Sequence, residues 1–272
     1  GGGVNVYLAS ATFIQTGVST ITNNTAVEYG GGVAVYYGSA TLRGTPDAPA
    51  QIFNNAAQRG GGVYIYNGSG SVTLSGIQIS NNAASWGGGV YNYNGRIVLD
   101  GGQISDNTAD YDGGGIHIYM GTFTQTGIST IAHNTADQGG GVSVAWGKAT
   151  LNNADVISNS VSTHGGGVYI RYGSASLSGT HINYNAADQG GGGIFLEPNT
   201  HATVDNSVIV DNQAGTSGSG LCMEGSTAHL LHNTLARNHG GDGSVLYVAN
   251  DLTATSRVTL TNTILANHDM GI

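Results

Sequence analysis

Cationic side chains are scarce in this sequence, which has one lysine and six arginines among 272 residues. Charged residues of both signs make up only 8% of the chain, against about 25% in a typical soluble domain. The formal net charge is −9. Because no basic patch can form from so few cations, nucleic acid and anionic membrane surfaces are not expected partners.

Cysteine and long apolar runs are also nearly absent. The single cysteine, Cys222, excludes a disulfide within the chain and a thiolate metal cluster. We interpret it as a small side chain that packs in the fold. No run of 18 apolar residues occurs, so we expect no membrane insertion by this segment.

Glycine, by contrast, is abundant and regularly placed. A Gly-Gly-Gly triplet followed by Val or Ile recurs about every 25 to 30 residues, and two looser copies follow it. A repeat of this period is the signature of a repeat architecture. The apolar residues after the glycines are Val4, Val33, Val63, Val90, Ile116, Val142, Val168, Ile194, Leu221 and Leu246.

Each repeat contains three segments with strand character and none with helical periodicity. The residues after the glycines alternate apolar and polar, as in Val63-Tyr64-Ile65-Tyr66, which is typical of a half-buried strand. A second short strand and a third segment, apolar-x-x-Asn, complete the unit. The sequence predicts an all-β, single-stranded parallel β-helix (β-solenoid) of about ten coils of about 26 residues, with three short strands per coil.

We predict one solenoid domain over 1–272, with regular coils in 1–193 and more divergent coils in 194–272. Stacked coils should lie about 4.8 Å apart, the ordinary strand spacing. Parallel crossovers prefer the right-handed arrangement.

The asparagine of the third segment recurs in every coil. An amide side chain both donates and accepts hydrogen bonds, so in-register copies can bond one another along the stack. We therefore predict a structural ladder of Asn24, Asn55, Asn82, Asn107, Asn134, Asn159, Asn185, Asn212, Asn238 and Asn267.

The unit Ile-x-x-Asn-x-Ala followed by Gly-Gly-Gly-Val resembles the repeat of chlamydial polymorphic outer-membrane proteins and related bacterial surface proteins. Those proteins carry paired FxxN and GGAI motifs; here the Phe position is usually Ile, and GGAI reads GGGV or GGGI. The resemblance covers nearly the whole chain. It implies a right-handed parallel β-helix of the pectin-lyase-like type, exported to the cell surface, with an adhesive or structural role.

Aromatic residues recur in the first strand. At the positions expected to face outward, the sequence predicts an exposed aromatic face that serves as an interaction site. Three interpretations stay open: stacking that stabilises the sheet, contact with host or neighbour-cell proteins, and binding of surface glycans. The candidate residues are Tyr7, Tyr36, Tyr64, Tyr66, Tyr91, Tyr93, Tyr119 and Tyr169, with Phe195 beside them.

Aspartates recur at nearly the same position of the repeat, a few residues after the recurring asparagine. Asp110, Asp112 and Asp137 are a candidate Ca²⁺ site, although a solvated polar turn is the simpler interpretation. We expect no other cofactor. The NTD, DD and GHG signatures of pectin-lyase-like hydrolases are missing, so we predict no catalytic residues. A polysaccharide lyase or hydrolase that uses the tyrosines and these carboxylates remains the alternative.

The two ends of the sequence are complementary. The chain opens on a glycine triplet and closes half a repeat after Asn267. Either the chain is a window of a longer array, such as an adhesin passenger, or copies stack head to tail as a homopolymer. We expect an extracellular structural or adhesive β-solenoid, as a filament subunit at the cell surface.

Overall fold

Parallel strands make up the regular structure of the computed structural model, which describes residues 1–45, 47–66 and 70–268. Every pairing between named strands is parallel and joins one coil to the next. The predicted β-solenoid of about ten coils is confirmed. No described residue lies in a helix that could span a bilayer. Residues 269–272, which enter the head-to-tail hypothesis, lie outside the described residues.

The first sheet contains ten strands, each of which follows a glycine turn. Its apolar positions fall in register, for example Val63 beside Val90 and Val35 beside Ile65. The strands are Val4–Val6, Val33–Val35, Val63–Tyr66, Val90–Tyr93, Ile116–Tyr119, Val142–Ala145, Val168–Arg171, Ile194–Leu196, Leu221–Glu224 and Leu246–Ala249.

The second sheet has two limbs, which correspond to the second and third predicted strands. Three strands run through both limbs: Ser71–Ser80, Arg96–Ser105 and Thr122–Ala132. The first limb also contains Thr12–Thr16, Ser39–Arg43, Lys148–Asn152, Ser174–Ser178, His201–Asp205, Thr227–Leu231 and Arg257–Thr261. The second limb also contains Thr20–Thr22, Ala50–Phe53, Ala154–Ile157, His181–Asn183, Val208–Val210, Thr234–Ala236 and Ile264–Ala266.

A third sheet, not separately predicted, forms from the residues after the asparagines. It has seven short strands, so these coils contain a fourth extended segment. This segment carries the chain from the asparagine to the next glycine turn. Its strands are Ala56–Arg59, Ala83–Trp86, Thr108–Ala109, Thr135–Ala136, Ser160–Val161, Ala186–Ala187 and Gln213–Ala214.

One apolar core fills the interior of the solenoid from end to end. Valine and isoleucine columns from the first and second sheets meet there; Ile116 and Ile131 are completely buried. Burial of each such side chain contributes about 1.5–3 kcal/mol. Because the registers are fixed by these columns, the outward residues of successive coils also align.

Candidate functional site

A groove runs along the outer surface of the first sheet, and we call it the tyrosine groove. Its volume is about 440 Å³. One wall comes from the ends of the first-sheet strands, and the other comes from residues just before the glycine turns. Its lining is Tyr29, Arg59, Tyr64, Tyr66, Trp86, Tyr91, Tyr93, Asp112, His117, Tyr119 and Arg171.

The outer wall consists of Tyr66, Tyr93 and Tyr119, and the predicted column continues beyond the groove as Tyr36 and Tyr7. The rings of Tyr66 and Tyr93 stack with centroids 5.2 Å apart, and those of Tyr93 and Tyr119 with centroids 5.3 Å apart. Tyr36, Tyr66, Tyr93 and Tyr119 are half-buried, and Tyr7 is exposed. Since these rings turn their faces toward one another, the column offers mainly ring edges and hydroxyl groups to a ligand.

The inner column was expected to be exposed, and that expectation is wrong. Tyr64, Tyr91, Tyr169 and Phe195 are all buried. Tyr64 and Tyr91 stack with centroids 5.6 Å apart and form the floor of the groove. Their burial raises the pKa of both phenols, so both are neutral at physiological pH.

The glycine turn explains this burial. A Cβ on Gly87 would lie 2.5 Å from the carbonyl oxygen of Val90 and 2.8 Å from Cβ of Tyr91. The turn is therefore so tight that the residue before it folds back over the outward side of the strand. Tyr29 covers Tyr64 in this way, with ring centroids 4.7 Å apart. Alternation along the strand predicts which side chains point outward. It does not predict that a residue from the preceding turn will cover them.

The residues just before the triplets were not recognised from the sequence. Tyr29, Arg59, Trp86 and Asp112 precede the triplets of four successive coils and together form the inner wall. The guanidinium of Arg59 lies over the rings of Tyr29 and Trp86, 5.7 and 5.1 Å from their centroids. Their shared position in the repeat is the signal that could have identified them.

The groove becomes polar toward the middle of the solenoid. The outer column continues as Ala145 and Arg171, and beside the small Ala145 the ring of Trp146 packs against Tyr119 with centroids 5.4 Å apart. The guanidinium of Arg171 lies over the Trp146 ring, 5.5 Å from its centroid. The Nε atom of Arg171 is buried and has no hydrogen-bond partner in the described part of the chain.

Among the described residues, Asp112 is the one acidic residue in the lining of the tyrosine groove. Its side chain is buried and accepts no hydrogen bond from the described residues. Desolvation raises the pKa of its carboxyl to about 6, against an opposing effect of Arg171; Asp137 and Glu197 add to the rise. The carboxyl is thus mostly ionised at pH 7.5 and loses its charge in mildly acidic solution.

Buried neighbours of Asp112 are held neutral. Burial lowers the pKa of His117 to about 3, and its Nδ1 atom lies 3.1 Å from Ser143 Oγ. The hydroxyl of Tyr169 donates a hydrogen bond to Glu197, the residue after Arg171 in the outer column. Glu197 is therefore already engaged within the protein.

The structure does not bring the Ca²⁺ candidates together. Asp112 lines the tyrosine groove, whereas Asp110 and Asp137 border a shallow trough on the third sheet. Asp110 and Asp137 accept hydrogen bonds from Ser85 and Ser162, at 2.9 and 2.6 Å. Within the described ranges, no three His, Cys, Asp or Glu residues are grouped as metal ligands.

The asparagines stand in a continuous buried ladder from Asn55 to Asn238, and Asn24 joins it at one end. Nδ2 of Asn134 donates to Asn159 Oδ1 at 3.0 Å and to the carbonyl oxygen of Ile104 at 3.0 Å. The same pattern repeats up to the 2.9 Å bond from Asn212 to Asn238. Asn267 is exposed, and no described hydrogen bond joins it to the ladder.

Cys222 is buried beside Phe195 and Tyr169. Desolvation raises the pKa of its thiol to about 12, so the thiol stays protonated and weakly nucleophilic. The cysteine thus packs in the sheet.

A second cleft, of about 520 Å³, lies at the bend between the limbs of the second sheet. Backbone of Gly76, Gly101 and Gly102 lines it, and Asp100 is its one charged residue. It is larger than the tyrosine groove but has fewer charged and aromatic groups that converge on one ligand. We therefore take the tyrosine groove as the candidate site.

Comparison with known proteins agrees with the architecture. Residues 3–180 match the family model described as a right-handed β-helix region. No curated protein and no solved structure matched the chain. The matched segment contains the whole lining of the tyrosine groove.

Proposed function

Because this chain belongs to the right-handed β-helix family, whose fold suits structural, adhesin-like and pectin-lyase-like roles, we propose that it is an adhesive surface β-solenoid that binds carbohydrate in the tyrosine groove. The proposal rests on the residues that line the groove. Phenol hydroxyls, two guanidiniums and a carboxyl converge there beside apolar ring edges. Hydroxyl-rich ligands with apolar C–H faces need this combination of contacts.

The proposal also includes display at the cell surface and adhesion. They rest on the resemblance of the Ile-x-x-Asn and Gly-Gly-Gly-Val units to the FxxN and GGAI repeats of bacterial surface proteins. Self-association of copies, proposed from the repeat, is compatible with a groove that runs along the solenoid. Neighbour-cell or host proteins are the competing ligands.

A glycan array with purified protein tests carbohydrate binding. We expect Tyr66→Ala and Tyr93→Ala each to lower affinity about tenfold or more, because each removes a ring and a hydroxyl from the outer wall. Tyr184→Ala is the matched control, since Tyr184 is 61% exposed but lies outside the groove. Equal losses in all three variants, or no glycan bound by the unaltered chain, would contradict the proposal.

A polysaccharide-active enzyme is the second candidate, and Asp112 favours it. A buried carboxyl with its pKa raised to about 6 suits general acid–base chemistry. Incubation with neutral and acidic polysaccharides, followed by measurement of new reducing ends and unsaturated products, tests this function. Enzyme activity requires products that disappear in Asp112→Asn; the absence of products with every substrate would reject it.

A further inference from the structure

Three charged residues line the described part of the tyrosine groove, and they differ in how many of their hydrogen-bonding groups have partners within the protein. Arg59 lies over two aromatic rings, and its Nη1 atom is 3.4 Å from the Tyr29 hydroxyl. The carboxyl of Asp112 accepts no hydrogen bond from the described residues, and Arg171 Nε has no partner there. Asp112 and Arg171 are therefore the two charged residues of the lining whose hydrogen-bonding capacity the described residues leave partly unused.

A buried polar group without a partner is unfavourable, and more so when it is charged; Arg171 Nε is such a group, and the Asp112 carboxyl is desolvated by burial. A ligand that pairs them would recover that free energy. The carboxylate requires a donor and the guanidinium requires an acceptor. A sugar hydroxyl supplies both functions, so a hydroxyl-rich ligand in the groove can serve both side chains.

The charge near this pair disfavours an anionic ligand. A carboxylate or sulfate on the sugar cannot donate to Asp112 and would repel it at short range. Asp137 and Glu197 add to the negative potential at the Asp112 carboxyl, and the net charge of the chain is −9. Arg171 opposes this potential at Asp112, and Arg59 lies on the other side of the lining, over the Tyr29 and Trp86 rings.

We propose that Asp112 and Arg171 determine specificity in the tyrosine groove and select a neutral, hydroxyl-rich glycan over an anionic one. This inference rests on the carbohydrate-binding function proposed above. Asp112 accepts hydrogen bonds from the ligand hydroxyls, and Arg171 donates to their oxygens. Asp112 is a binding residue here and performs no chemistry.

The test is affinity electrophoresis of the full chain in gels that contain one soluble polysaccharide each. The panel holds neutral glucans, galactans and mannans, with polygalacturonate and dextran sulfate as anionic members, at pH 7.5. We expect retardation by a neutral polysaccharide, reduced at least tenfold in Asp112→Asn and Arg171→Met. Asp188→Asn is the control, because Asp188 is exposed outside the groove.

The pH dependence of binding provides a second measurement, which a purely structural role of Asp112 would not affect. Binding by the unaltered chain should weaken as the pH falls through about 6, because protonation removes the charged acceptor. The charged groups that act on Asp112 are Arg171, Asp137 and Glu197, while His117 remains neutral in this range. Asp112→Asn should bind weakly and with little dependence on pH.

The outcomes separate this inference from the proposed function. Retardation by anionic polysaccharides alone, still sensitive to Tyr93→Ala, overturns neutral selectivity and leaves carbohydrate binding intact. Full neutral-glycan binding by Asp112→Asn overturns the role of Asp112. Absence of retardation by every polysaccharide overturns both proposals. Loss in Asp112→Asn is not expected to reflect unfolding, since this change relieves a buried charge.

Discussion

At the scale of single residues, the asparagines from Asn24 to Asn238 connect each of their coils to the next. Asn134 has no exposed surface, and its amide makes hydrogen bonds with Asn107, Asn159 and the carbonyl oxygen of Ile104. Each amide therefore bonds to groups in both neighbouring coils. Removal of one amide leaves buried donors and acceptors on both sides, which cannot reach water.

Asn134→Ala should lower the free energy of unfolding by about 3 kcal/mol or more, because several buried polar groups lose their partners. Urea unfolding followed by circular dichroism measures the change. Asn5→Ala is the control: Asn5 is exposed in a first-sheet strand, and its loss should cost less than about 0.5 kcal/mol. Similar midpoints for the two variants would contradict a stabilising ladder.

Asp112 predicts a specific pH dependence of stability. Its pKa is about 6 in the fold and near 3.8 in the unfolded chain, so the folded state binds the proton more tightly. The contribution of Asp112 to stability is greatest below about pH 4 and is lost as the pH rises toward 6 and above. The full difference is about 3 kcal/mol, since one pKa unit corresponds to about 1.4 kcal/mol.

Asp112→Asn should therefore stabilise the fold at pH 7.5 and have little effect near pH 3.5. Urea midpoints of both proteins at the two pH values provide the measurement. A variant less stable than the unaltered chain at pH 7.5 would show that the ionised carboxyl is favourably paired in the fold. Retention of a destabilising acid is expected where a ligand needs it.

At the scale of elements, the glycine turn decides the shape of the groove. The middle glycine of each triplet lies against backbone of the next coil: a Cβ on Gly114 would lie 2.6 Å from the Thr135 carbonyl oxygen. No side chain can enter that space without separating the coils. The same turn delivers Asp112 to the inner wall.

Gly114→Ala should destabilise the protein by more than about 3 kcal/mol, because backbone and not a mobile side chain must move. Gly17→Ala provides the comparison. Gly17 has a positive φ of 73° but nothing within 4 Å of a Cβ, so only the left-handed conformation costs free energy, about 1–2 kcal/mol. Thermal or urea unfolding of the pair checks the ranking; equal losses would refute close coil contact as the cause.

At the scale of the whole molecule, the head-to-tail hypothesis concerns the strands of the terminal coils. Ile264 and Leu265 are 59% and 42% exposed, whereas their partners in the preceding coil, Thr234 and Leu235, are less exposed. Apolar surface of this kind on open parallel strands favours association. The head-to-tail hypothesis uses this surface.

If copies stack head to tail, the mass measured by light scattering should rise with protein concentration, and electron microscopy should show rods longer than one chain. Leu265→Asp should reduce the association by placing a charge in the stacking surface. Leu252→Asp is the control, since Leu252 is fully exposed outside the strands. A constant monomer mass at high concentration would sink the hypothesis.

The repeat alone determined the coiled path of the backbone, apart from the third-sheet segment between the asparagine and the next glycine turn. Gly-Gly-Gly-Val and the apolar-x-x-Asn segment recur at a nearly constant interval, and in-register stacking follows because it places Val on Val and Asn on Asn. The columns Tyr66, Tyr93 and Tyr119 also follow from that period. These features depend only on neighbouring residues or on the repeat interval, and both can be read along the sequence.

Only the tertiary structure decided which side chains share the groove. Alternation predicts that Tyr64 and Tyr91 face outward, but the glycine turn folds Tyr29 and its counterparts over that side and buries them. The same turn separates Asp112 from Asp110, two residues away, and sets it in a groove with Arg171. Such contacts join different segments of the coil across the turn, and periodicity along the chain carries no information about the distance between them.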